Sequence, residues 1–182
     1  MRLYLHVSLA GFIYYNCKMI SSHTPTNILF WSIYVLLVAI SAEVYGYFWH
    51  RLGAHSGYVP GIKETHEIHH LLKLSDKHEA NEDFVWILLL IITLQIILGL
   101  AVTVGIIPGL LAIVTILTLT GVFIWNWWIH QSFHVDDHWL NQYEWFKHQK
   151  NIHYVHHNNP SMNYGVATHF CDKLFGTWTN PK

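Results

Sequence analysis

Two copies of one histidine spacing constrain this chain more than any other feature. His66-Glu67-Ile68-His69-His70 and His153-Tyr154-Val155-His156-His157 each place a histidine, two spacers and then two histidines. A helix advances about 100° per residue, so positions i, i+3 and i+4 fall on one narrow face. Three imidazoles on one face suit a core poorly, because each neutral ring carries one donor and one acceptor to satisfy. They suit a metal well, since neutral imidazole is the commonest metal ligand. Two pairs join the triplets: His50 and His55, and His130 and His134. Together the four clusters hold ten of the sixteen histidines.

The surroundings of these clusters point to a membrane. The 182 residues leave room for one domain. Hydrophobic residues make up 52% and charged residues 12%, about half the charge usual in a soluble domain. Residues 28–49 carry a single charge, Glu43, and as a helix reach about 33 Å, enough to cross a bilayer. Apolar runs at 84–104 and 106–129 flank the uncharged turn Gly105-Ile106-Ile107-Pro108-Gly109. They read as a hairpin that crosses and returns, with Trp125, Trp127 and Trp128 near its exit as an interfacial aromatic belt. Residues 3–20 are apolar too, interrupted by His6, Asn16 and Lys18. They read as a further span or an interfacial helix; with no small-x-small cleavage site after them, a signal peptide is set aside. No segment reads as a strand. The expected fold is all-α and integral to the membrane, with three transmembrane helices, or four if residues 3–20 cross.

Lysine and arginine number four in residues 50–83 and four in 130–182, with none in the hairpin turn. The positive-inside rule then turns both histidine-bearing segments to the cytoplasm as a helical cap. A net charge of −1 gives no footprint for nucleic acid. Cys17 and Cys171 form neither a disulfide framework nor a thiolate site, so a metal here is bound through nitrogen.

Placement adds to number. His50/His55 and His130/His134 sit where membrane helices end, and the triplets follow on short amphipathic segments. His130 and His134 share a helix face. His50 and His55 stand about 140° apart on an ideal helix, and Gly53 between them is expected to let the helix unwind and turn both inward. Ten nitrogens exceed the four of a structural zinc or the six of an octahedral site, so two metals with about five ligands each fit the count. Imidazole suits zinc, copper, iron and nickel alike. A soluble di-iron carboxylate bundle needs two Glu-x-x-His motifs, and only Glu67 with His70 matches, which disfavours that architecture. Ligands of a metal carrier would lie within the spans, so span-end histidines favour an enzyme over the alternative of a non-catalytic membrane metal- or haem-binding protein.

Other polar residues have ordinary readings beside functional ones. Glu43, seven positions before His50, is either a hydrogen-bond partner of a metal-bound imidazole or a partner for another helix. His78 and His169 are candidates for the edge of the site. His6 and His23 read as incidental, and His138 and His148 as solvated. Adjacent Asp136 and Asp137 do not face the same way and read as loop or helix start. Asn158-Asn159-Pro160-Ser161 reads as a turn.

The order His-x4-His, His-x2-His-His, His-x3-His, His-x2-His-His, followed by Asn163-Tyr164-Gly165 and Asp172-Lys173-Leu174-Phe175-Gly176-Thr177, resembles the fatty acid hydroxylase/sterol desaturase superfamily of membrane di-iron oxygenases. The resemblance covers roughly residues 40–178. It implies a non-haem centre of two iron ions, replaceable by zinc in a purified sample, that uses dioxygen and two electrons to oxidise a C–H bond of a lipid. It implies the ligands His50, His55, His66, His69, His70, His130, His134, His153, His156 and His157, with no catalytic residue beyond them. It divides the chain into an N-terminal apolar segment, 1–27, and a catalytic domain, 28–182. It also implies a separate electron donor, a cytochrome b-type protein or a ferredoxin with its reductase. His78-Glu79-Ala80-Asn81-Glu82-Asp83-Phe84 looks like the bacterial-type carotenoid hydroxylases, which keeps a carotenoid as the alternative substrate. Those enzymes usually have a longer third box and lack the closing tail.

Overall fold

The computed structural model describes residues 25–59, 61–72 and 80–181. The apolar segment 3–20, His6, Cys17, His23 and His78 lie outside the described residues. Among these residues six α-helices follow in order: α1 Pro25–Phe48, α2 Ile62–Leu72, α3 Ala80–Thr103, α4 Gly109–Phe133, α5 Glu144–Asn158 and α6 Phe170–Phe175. A π-helical turn, Trp49–Ala54, continues α1, and a 3-10 turn, Trp139–Gln142, precedes α5. No strand occurs among the described residues.

Among the described residues, two stretches are long and apolar enough to cross a membrane, Ile28–Ala54 and Gly109–Phe133. Their apolar side chains point outward: Leu36, Leu37 and Ile40 on α1 and Ile113, Leu117 and Ile124 on α4 are all exposed. A soluble core helix would bury such residues; left outward, they suit a helix that faces lipid. The described apolar part of α3, Leu88–Thr103, is shorter. α4 packs along both α1 and α3. Polar pairs join α1 to α4: Tyr34 Oη lies 2.5 Å from Thr115 Oγ1, and Asn126 Nδ2 donates to Glu43 Oε1 at 2.6 Å.

The α3–α4 connection is a tight, uncharged turn, as its composition suggests. Ile106 N–H donates to Ala101 O at 2.8 Å and Gly105 N–H to Val102 O at 3.0 Å. This is the Schellman closure, which needs a left-handed residue, and Gly105 supplies it at φ +76°. Pro108 then caps the start of α4 with φ −60°.

Beyond the membrane helices, α5 docks on the end of α4. Ile129 and Phe133 of α4 pack with Leu140 and Phe146 into a small core, the Phe133 and Phe146 rings 5.3 Å apart. Tyr154 Oη donates to Phe133 O at 3.2 Å and Lys150 Nζ to Val135 O at 2.8 Å, so α5 satisfies carbonyls that the end of α4 leaves open. A second cluster joins Tyr47 of α1 to Tyr164 and Cys171. The two clusters flank the histidines. Phe146→Ala would empty a fully buried site. It is expected to cost about 3–5 kcal/mol, read as a lower thermal midpoint in detergent; an unchanged midpoint would show that α5 does not rest on this core.

Candidate metal centre

The structure brings all ten box histidines together, in two groups of five. His50, His55, His66, His70 and His156 form one; His69, His130, His134, His153 and His157 form the other. Within each group the candidate ligand atoms all lie within 4.8 Å of one another. The groups adjoin, with the His70 and His157 rings stacked at 4.4 Å.

Each triplet divides between the two groups. On α2, His66 and His70 (i, i+4) serve the first group and His69 the second; on α5, His153 and His157 (i, i+4) serve the second group and His156 the first. Each helix thus gives its four-apart pair to one centre and its remaining histidine to the other. His69 reaches across to His134, ring centroids 4.6 Å apart, and His156 to His50, also 4.6 Å.

His50 and His55 meet because of the π-helical turn Trp49–Ala54. An i→i+5 ladder completes a turn in more residues than an α-helix does, so positions five apart stand nearly above one another. Their Nε2 atoms come within 3.3 Å. Gly53 acts differently from the expected unwinding: its φ is not positive, and a Cβ there would stand 3.3 Å from Trp49 Cδ2. The glycine makes room for the indole inside a widened turn.

The donor set fits a metal. In the first group, Nε2–Nε2 separations are 3.0 Å for His50–His66, 3.1 Å for His55–His66, 3.1 Å for His66–His70 and 3.2 Å for His55–His156. In the second, His134 and His153 approach to 2.9 Å. Nitrogens that share an ion at about 2.0–2.1 Å and roughly right angles stand about 3 Å apart. Hydrogen bonds cannot satisfy five converging nitrogens, because each ring nitrogen either gives one proton or accepts one. In the second group His69 Nε2 and His157 Nε2 are buried with no hydrogen-bond partner.

Two rings of the first group are held by backbone. His50 Nδ1 lies 2.6 Å from Tyr164 O, and His156 Nδ1 lies 2.6 Å from Met162 O. A carbonyl only accepts, so Nδ1 donates and Nε2 keeps its lone pair for the centre. Burial, with the neighbouring rings, also keeps the imidazoles in the ligand form. It lowers His55 and His69 to about 3, His134 to about 4 and His157 to about 2. His66, His153 and His156 lie well below the ordinary value, again first because of burial.

An apolar cavity of about 150 Å³ borders both groups. His50 and His66 of the first group and His130 of the second line it, beside Ala42, Tyr45, Leu90, Phe123, Trp127 and Val166. Trp127 therefore faces the cavity, while Trp125 is exposed as a belt residue would be.

The remaining candidates lie elsewhere. Glu43 binds no imidazole among the described hydrogen bonds. Its Oε1 accepts from Asn126 and its Oε2 from Thr168 Oγ1 at 2.7 Å, so it joins α1 to α4 and to the 163–169 loop. His169 is buried, bonded through Nε2 to Gln149 Oε1 at 2.6 Å, and outside both groups. His138, half-buried, caps the 3-10 turn by accepting from Leu140 N–H and stacks on Phe146. His148 is exposed. Asp136 and Asp137 lie exposed in the turn after α4. Cys171 is a free, buried thiol.

Sequence reading missed the weight of Asp172, which was noticed only as part of the tail. It is fully buried and accepts from the backbone N–H groups of Tyr164 and Gly165 and from Thr177 Oγ1, each at 2.8 Å. Burial alone would raise its pKa, but the His169 ring, with Nδ1 3.5 Å from Oδ2, and hydrogen bonds from Thr177, Gly165 and Tyr164 outweigh it and hold the carboxyl below the usual range. The available signal was the one acid in a glycine-bounded stretch, 165–176, close behind the last histidine box.

A family model described as fatty acid hydroxylase matches residues 35–177. The chain belongs to the fatty acid hydroxylase family. The matched region begins in α1 and ends on Thr177, so it takes in both histidine groups, the cavity and the Asp172 contacts. No curated protein and no solved structure matches the chain. Membership makes the protein a lipid-oxidising enzyme in type, and the two histidine groups and two outward-apolar helices agree with metal binding in a membrane.

The depressed histidines set a pH dependence for the metal-free protein. In the unfolded chain they titrate near 6.5, and in the fold they resist protonation down to about 4 and below. Below pH about 6.5 the unfolded state therefore binds more protons, and stability falls as pH drops. Thermal unfolding in detergent with chelator is expected to show a lower midpoint at pH 5 than at pH 7.5; an equal or higher midpoint at pH 5 would contradict burial of neutral imidazoles.

Proposed function

We propose that the protein is a membrane-bound non-haem di-iron oxygenase that hydroxylates or desaturates a lipid. The observation that carries this reading is the apolar cavity bordered at once by ligands of both histidine groups. His50, His55, His66, His70 and His156 would hold one iron, and His69, His130, His134, His153 and His157 the other. When bound, the irons supply dioxygen activation, the chemistry that an unactivated C–H bond requires. For hydroxylation, R–H, O2, two electrons and two protons become R–OH and water. For desaturation, the same reagents take two hydrogens from adjacent carbons and leave an alkene and two waters.

This chain's own part is placement. Ala42, Tyr45, Leu90, Phe123 and Val166 form a wall that takes an alkyl segment and excludes water. His50, His66 and His130 end that cavity, so the carbon that reaches them is the one oxidised. The Tyr164 and Met162 carbonyls keep His50 and His156 turned inward. All protons and electrons come from outside the chain's side chains; no described residue near the cavity is needed as a base.

The membrane arrangement belongs to the same reading. α1, α3 and α4 span, and α2, α5 and α6 cover the metals on the cytoplasmic face, where positive charge concentrates. A cytochrome b-type protein or a ferredoxin with its reductase delivers electrons there. The substrate is of fatty acid, sterol or sphingolipid type.

Purified protein is expected to hold about two metal ions per chain, zinc standing in where iron is scarce. His153→Ala and His69→Ala are each expected to lower turnover at least about a hundredfold, beyond what loss of an outer partner costs, while membrane insertion persists. Metal analysis and lipid profiling of cells with and without the chain check both points. Absence of bound metal, or full turnover in both variants, would refute the di-iron reading.

A further inference from the structure

Asp172 lies outside both histidine groups and is fully buried. A carboxylate is costly to bury unless it is well bonded, and the bonding here has a direction. Gly165 N–H donates to Asp172 Oδ2 at 2.8 Å. The carbonyl of the same peptide group, Tyr164 O, accepts from His50 Nδ1 at 2.6 Å. One peptide group therefore stands between the carboxylate and a histidine of the first group, bonded at both ends.

The local structure is built around that line. A Cβ on Gly165 would stand 2.0 Å from Thr168 O and 2.8 Å from Asp172 Oδ2, so only glycine admits the approach. Asn163 is held left-handed at φ 54° by bonds to the other end of the tail: its N–H donates to Thr177 O, its Nδ2 donates to Thr179 O, and its Oδ1 accepts from Thr179 N–H. Tyr164 N–H and Thr177 Oγ1 both donate to Asp172 Oδ1. Gly176 closes α6 at φ +71° through its backbone N–H to the main-chain carbonyl of Asp172, a bond that does not require the acid.

We propose that Asp172 is a positioning residue for the first histidine group, acting on His50 through the Tyr164–Gly165 peptide. A carboxylate behind a metal-bound histidine fixes the ring's tautomer and raises the basicity of its ligating nitrogen. A polarised chain of hydrogen bonds carries that influence across one peptide group. The consequence is asymmetric: the first centre depends on Asp172, and the second, which contains neither His50 nor any other ring bonded to Tyr164, does not. This inference rests on the two-metal reading above.

The test uses full-length protein in detergent, stripped with chelator and titrated with Co2+ alone, followed by d–d absorption and by equivalents bound. Wild type is expected to bind two equivalents with separable spectra. His50→Ala and His134→Ala serve as references, each removing the spectrum of its own centre. Asp172→Asn loses one bond whichever way its amide turns, because its NH2 meets an N–H donor. It is expected to weaken one equivalent about 10–100-fold, with the altered spectrum matching the one that His50→Ala removes and the other equivalent unchanged. Thr177→Val, which keeps the carboxylate and the Gly165 bond, is expected to give a smaller loss at the same equivalent, and it decides the matter if Asp172→Asn does not fold. Equal weakening of both equivalents, as a merely structural role would give, overturns the proposal, as does unchanged binding. Wild type that binds no Co2+ overturns the metal reading itself.

Discussion

Ten imidazoles converge in two groups, several of their ring nitrogens about 3 Å apart, an arrangement that a polypeptide alone disfavours. Each neutral ring brings a lone pair that faces other lone pairs, and burial, full or partial, disfavours its protonation. Such a site is stable only if the surrounding structure holds it and something electron-poor shares the lone pairs. Both conditions account for features that otherwise look unrelated: the π-helical turn that aligns His50 with His55, the carbonyls behind His50 and His156, and the aromatic clusters on either side.

The membrane helices and the polar half do different work. α1 and α4 leave their apolar surface to lipid and join through a few polar pairs, of which Glu43 with Asn126 also reaches the 163–169 loop. That loop closes the cavity and shapes the first centre through Tyr164. Cavity wall, the brace behind His50 and helix pairing thus share a short piece of chain, which ties the closing tail to the histidine boxes.

Much of this could be read from particular residues beforehand. The long, nearly charge-free apolar runs and Gly105-to-Gly109 foretell α1, the α3–α4 hairpin and its turn, because those signals are local. The ten histidines were identified by spacing, and the count of ten pointed to two centres. Glu43 was read in two ways, and only its contacts show it pairing with Asn126 and Thr168. His138 looked solvated because nothing local announces that a ring will stack on Phe146, eight residues on. Gly53 was given backbone freedom where the fold uses its lack of a side chain, since Trp49 comes to lie against it.

The order and spacing of the boxes, with the tail behind them, determined the donor chemistry, the helical class and the family, because ligand type and periodicity are properties of short segments. The partition of ligands was decided only in three dimensions. Read alone, each triplet is three ligands on one face; folded, each gives two nitrogens to one centre and one to the other. Neighbours on a helix face diverge enough to serve two adjoining centres, and which of the two each reaches depends on the helices packed opposite. The bracing of His50 by Asp172 across more than a hundred residues belongs to the same class: it exists only once α1 and the tail are packed together.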